Sequence, residues 1–97
     1  SYISQAVVLS PRDPSLHLLH GQILLDMGNA EAALSKFEKS IELKENFWTG
    51  YLYAAESCLL QGDEACARSY LEFVIENAED QFNSSYAVEK LDEIERR

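Results

Sequence analysis

The tightest constraint on this chain is that it nearly repeats itself. The stretches "GNAEAALSKFEKSIELKEN" (28–46) and "GDEACARSYLEFVIENAED" (62–80) begin 34 residues apart. Laying residues 14–47 over 48–81 gives identities at Leu18/Leu52, Leu25/Leu59, Gly28/Gly62, Ala33/Ala67, Ser35/Ser69, Glu38/Glu72, Ile41/Ile75, Glu42/Glu76 and Glu45/Glu79, with Phe37 matched by Leu71. A unit recurring at such a period cannot bury its apolar face alone and must stack on its copy. A chain of 97 residues holds one such stack, with a core of modest size.

The punctuation identifies what is repeated. Asp13-Pro14 is a cap followed by proline at the first helical position, and it opens a helix. Leu16, Leu19, His20, Ile23, Leu24 and Met27 follow at a spacing of 3–4 residues, a helical apolar stripe. Gly28 is expected to take the positive φ that ends this helix in a tight turn. A second helix then carries Ala33, Phe37, Ile41 and Leu43 on its inner side. The next unit repeats the pattern: Phe47 to Gln61, a break at Gly62, Asp63 as cap, and Glu64 to about Asn77. No segment alternates with period 2, so the expected fold class is all-α.

These residues resemble the tetratricopeptide repeat family, whose pattern sets a large residue, a Leu-Gly pair and an aromatic in the first helix. Ala, an aromatic and Ala follow in the second helix. The first unit matches with His17, His20-Gly21, Leu24, Ala33, Phe37 and Ser40, and carries Glu45 where the family has Pro. The second matches with Tyr51, Ala54-Ala55, Cys58, Ala67, Leu71 and Val74, again with a glutamate, Glu79, in place of Pro. Ahead of them, "QAVVLSP" is similar to the tail of a preceding second helix through Ala6, Leu9 and Pro11. The resemblance implies a right-handed α-solenoid of antiparallel helix pairs, with a half-repeat helix at 1–10, repeats at 14–47 and 48–81, and a capping helix at 83–97. It also implies that Gly21 and Ala55 lie opposite Ala33 and Ala67 where paired helices approach. A half-repeat lacking its first helix would leave Tyr2, Ile3 and Ala6 exposed. A longer array could cover them, or two chains could pair through them.

Composition narrows the partners. The formal net charge is −9, and from Glu45 through Glu89 the only basic residue is Arg68, against nine acidic ones. That field repels nucleic acid and anionic membranes, and it attracts a partner with basic segments. No apolar run reaches the roughly 20 residues needed to span a bilayer. No leader is visible at the N-terminus, which leaves the compartment open with the cytoplasm favoured. Cys58 and Cys66 fit neither a CxxC motif nor a zinc pattern. The expectation is two reduced thiols at small helical positions, the alternative a local disulfide between neighbouring helices.

No catalytic constellation or cofactor motif is present: no nucleophile triad, glycine-rich phosphate loop or HExxH. His17 and His20 lie one turn apart, but no further ligands converge on them, so no metal site is expected and both read as inward-packing residues. The carboxylates fall at solvent-facing helical spacings.

The resemblance places function on the concave face formed by the first helix of each unit. There it implies a partner-binding groove of Leu18, Gln22, Leu25, Leu52, Tyr53, Glu56, Leu59 and Tyr86. Ser15, Asp26, Thr49, Leu60 and Lys90 complete the same face. Apolar anchors are worth roughly 1.5–3 kcal/mol each when buried, so two or three could support micromolar binding. Chaperone-docking members of the family hold a C-terminal carboxylate with Lys, Asn and Arg on this face; here those places resemble Leu18, Gln22 and Glu56, with only Lys90 basic. A second patch, Tyr70 and Phe73, stands where the family has polar residues. It either packs beneath the last helix or forms a convex docking site. The expected function is a protein-interaction module binding a peptide or helix with apolar anchors and basic flanks. The alternative is a structural element that self-associates into homo-oligomers through exposed terminal helices.

Overall fold

Four of the five described helices begin on a side chain that takes up an otherwise unpaired backbone N–H. The computed structural model describes residues 12–96, and among these are five α-helices and no strand. They are α1 (Pro14–Asp26), α2 (Ala30–Leu43), α3 (Trp48–Leu60), α4 (Glu64–Asn77) and α5 (Gln81–Glu95). The Asp13 carboxylate accepts from the Ser15 N–H at 3.0 Å, Asn29 Oδ1 from Ala32 at 3.3 Å, Asp63 Oδ1 from Cys66 at 3.0 Å and Asp80 Oδ2 from Asn83 at 2.8 Å. The start of α3 has no such cap. Its entry is instead fixed by Tyr51, whose hydroxyl donates to the Glu45 carbonyl at 2.8 Å.

The two glycine turns are copies at the level of single hydrogen bonds. Gly28 (φ 82°) donates to the Leu25 carbonyl at 2.9 Å, and Asn29 to Leu24 at 2.9 Å. Thirty-four residues on, Gly62 (φ 78°) donates to Leu59 at 3.0 Å, and Asp63 to Cys58 at 2.9 Å. Both are Schellman motifs, and the positive φ is why glycine stands at each. The residue after the glycine ends one helix and caps the next, so each helix pair reverses within three residues.

Neighbouring helices pack in chain order, α1 on α2, α2 on α3, α3 on α4 and α4 on α5. The burial pattern recurs with the sequence period. Ala33 and Ala67 are both fully buried, Phe37 pairs with Leu71, Ser40 with Val74, and His17 with Tyr51. Two clusters form the core: Ala33, Phe37 and Ala54 between the first helices, and Tyr51, Ala55, Cys58, Ala67, Leu71, Val74, Ala87 and Ile94 between the last three.

Three expectations change. The α1 stripe is rotated: His17 and Gly21 are buried, whereas Leu19, Ile23 and Met27 are exposed, Met27 at 74%. The nearest atoms to Gly21 are those of the Phe37 ring, whose carbons lie 2.5–2.9 Å from where a Cβ would stand. Cys58 and Cys66 are joined as a disulfide with Cα atoms 5.8 Å apart, replacing the reduced pair, because the Gly62 turn brings the end of α3 beside the start of α4. The last helix starts at Gln81 rather than 83, since Asp80 caps it. Tyr2, Ile3 and Ala6, with the half-repeat they belong to, lie outside the described residues.

Candidate functional site

The expected groove residues divide between two places. Leu52, Tyr53, Glu56 and Tyr86, with Thr49, line a cleft of about 220 Å³ between α3 and the start of α5. A crevice of about 30 Å³ continues it along α3, where Leu59 and Lys90 join Leu52, Glu56 and Tyr86. Leu18, Gln22 and Leu25 line neither. Leu18 and Leu25 are half-buried against Ala33, Phe37 and Ala54, because the α1 face that carries them leans onto α2 and α3. Tyr53 links the two places: it borders the cleft, and its ring stacks on Phe37 at 5.3 Å and 25°.

The cleft also contains two residues outside the expected set, Phe82 and Asn83. Phe82 is 78% exposed, the most exposed of the large apolar side chains described. Its signal in the sequence is the Asp80 cap, which starts the helix early enough to bring Phe82 onto the turn before Tyr86. The cap is reinforced by two donors from Asn83, backbone at 2.8 Å and side chain at 2.9 Å, and these hold the Asp80 carboxyl below its usual range. The asparagine that borders the cleft therefore also fixes the helix that forms its wall.

Around this apolar floor the charge is unbalanced. Glu56 stands exposed at the rim. Lys90 is occupied, with its ammonium 5.6 Å from the centre of the Tyr86 ring and 3.5 Å from a Glu93 oxygen. A cleft of this size is below the roughly 300–1,000 Å³ of small-molecule pockets and suits one large side chain.

Tyr70 and Phe73 belong to another surface. The rings they meet are on α3, not α5: Phe73 stacks on Tyr51 at 4.9 Å and faces Trp48 at 6.1 Å, and Tyr70 meets Tyr51 edge-on at 6.1 Å. The Tyr70 hydroxyl donates to Glu38 of α2 at 2.8 Å, tying the second helices of the two units together. Phe73 retains 41% exposure.

Burial, reinforced by the Glu38 carboxylate, pushes the Tyr70 phenol well above its ordinary value of 10. Burial and Glu45 raise Tyr51 as well. The sign follows from linkage. A phenol that holds its proton more tightly when folded contributes stability below pH 10, and that contribution is lost as pH rises toward the folded value. Melting measured between pH 9 and 11 should fall less steeply for Tyr70→Phe than for the natural chain. At neutral pH the same variant should lose about 1 kcal/mol with the hydrogen bond. Equal slopes would show that the Tyr70–Glu38 bond does not persist in solution.

His17 is 5% exposed. His20 is held below its ordinary pKa by burial first, then by Lys36 and His17. Among the described residues no group of three or more His, Cys, Asp or Glu side chains is placed to hold a metal ion, and no helix is long and apolar enough to cross a membrane. No protein-family model matches the chain, and no curated protein matches it.

Proposed function

We propose that the chain is a tetratricopeptide-type interaction module, a right-handed solenoid of antiparallel helix pairs that presents the α3–α5 cleft to a segment of a partner protein. One observation carries this reading. An apolar cleft of side-chain size, about 220 Å³, opens on the first-helix face of the stack, with Phe82 and Tyr86 displayed one turn apart along one wall. Exposed aromatics around an apolar floor are what a docked side chain buries. Glu56 at the rim and a net charge of −9 favour Lys or Arg beside that anchor. The role is to hold a pre-formed surface, without covalent chemistry. Fold-level analogy contributes the repeat family, and the cleft contributes the site.

The test is a selection of random peptides on the natural chain, each recovered peptide then titrated against Phe82→Glu and Tyr86→Glu. Both positions are exposed enough to change without opening the core, unlike Leu18 and Leu52. Recovered peptides should share one large apolar residue flanked by Lys or Arg, and should bind Phe82→Glu about tenfold more weakly or worse, the loss of one buried anchor. Peptides with acidic flanks, or affinities unchanged in both variants, would refute the cleft as the site.

A further inference from the structure

The outer face of α5 is built to a different rule from the rest of the stack. In the repeat alignment Val88 corresponds to Ala54 and Leu91 to Ser57, and both of those earlier residues are fully buried. Tyr51, Ala55 and Cys58, buried on the side of α3 that packs against α4, correspond to Ser85, Glu89 and Asp92. In α5 this arc is open. Val88 is 52% exposed, and a shallow groove of about 740 Å³ runs past Ile75, Val88 and Leu91, bordered by Glu89, Asp92 and Glu95. Val88, Leu91 and Glu95 follow one another at the 3–4 spacing of a helix seam, the geometry that receives another helix.

The charge around the seam decides what can lie there. Asp92 is partly satisfied by Arg96 at 2.8 Å on an exposed bridge, while Glu89 and Glu95 have no ion pair among the described residues. These carboxylates crowd the last two turns of α5, where the helix dipole favours cations. A second copy of the chain relieves this poorly, since each of its five described helices carries a net negative charge. We infer that the α4–α5 groove is a second docking site, occupied by a basic amphipathic helix of another protein. Its apolar stripe would cover Ile75, Val88 and Leu91, with Lys or Arg against Glu89 and Glu95. The helix lies along the seam between α4 and α5. The groove shares no lining residue with the α3–α5 cleft.

The experiment titrates the whole chain into a labelled Leu/Lys peptide of about 15 residues patterned as an amphipathic helix, long enough to match α5. A Leu/Glu peptide of the same pattern serves as control, and circular dichroism of each variant checks its folding. The Leu/Lys peptide should bind and become helical, and the Leu/Glu peptide should not bind. Measured in the Phe82→Glu background, which disables the α3–α5 cleft, the peptide should still bind, and adding Val88→Asp or Glu89→Lys/Glu95→Lys should each weaken that binding about tenfold. The charge-reversed variant should also lose most of the salt dependence, because at about 1 M salt the screening length is only about 3 Å. The inference is overturned by any of three results: no Leu/Lys binding, binding that both α5 substitutions leave unchanged, or complete loss of binding in Phe82→Glu by itself. Sedimentation showing a dimer that Val88→Asp dissociates would also overturn it, by assigning the groove to a second copy.

Discussion

Phe37→Ala should lower stability by about 3–5 kcal/mol, the largest effect expected of any single truncation among the described residues. The Phe37 side chain is fully buried and is the largest so enclosed among the described residues. It touches three helices at once: its own α2, the Gly21 backbone of α1, and Tyr53 of α3 through the ring stack. Removing it leaves a cavity that neither neighbour can fill, because Ala33 and Ala54 beside it are already small. In a domain of this size each kcal/mol moves the melting point by about 4–8 °C, so thermal denaturation should show a drop well above about 10 °C. Tyr53 loses its stacking partner in the same step, and the floor of the α3–α5 cleft should loosen with it. A shift of only a few degrees would mean that the first helix pair does not close as described.

Gly21→Ala tests the same contact from the other side, and its sign is diagnostic. In an exposed helix interior this substitution stabilises by roughly 0.5–1 kcal/mol, since alanine loses less backbone freedom on folding. Here the added methyl would stand 2.5 Å from Phe37 Cε1 and 2.7 Å from Cδ1, closer than carbon atoms approach without displacement. The ring is enclosed and cannot swing aside, so α1 and α2 must separate. A loss of about 1–3 kcal/mol is expected in denaturant titration, typical of an overpacked core. Restoring space with Phe37→Leu, the residue type that Leu71 supplies in the second unit, should recover part of it. Stabilisation by Gly21→Ala alone would place the glycine on an open surface.

The residues that made the helices legible act locally. Asp13 and Asp63 each cap a helix through a bond to an N–H two or three residues ahead. Gly28 and Gly62 take positive φ because the turns they sit in require it. Such interactions depend on neighbours along the chain, and a sequence displays them directly. The site was legible in part for the same reason. Thr49, Leu52, Tyr53, Glu56 and Tyr86 share the cleft because each lies on the first-helix face. Phe82 was missed because the helix was started two residues late, at 83 instead of the Gln81 that follows the Asp80 cap.

How far one helix turns about its axis against the next is decided elsewhere. The α1 stripe read from spacing included Leu19, Ile23 and Met27, yet the buried positions are His17 and Gly21. The alternation of apolar residues gives a helix a sticky side about 100° wide, and several rotations satisfy it. The Phe37 ring selects among them, because only the bare backbone at Gly21 gives it room. The same applies to Leu18 and Leu25: their period matched Leu52 and Leu59, but packing drew them onto Ala33, Phe37 and Ala54 and away from the cleft. The sequence by itself determined a run of helices, the caps at Asp13 and Asp63, two copied turns and a stacking period of 34 residues. Only the tertiary structure decided which apolar residues face a neighbour and which remain for a partner, because contacts between helices depend on side-chain shape across a gap that sequence spacing does not encode.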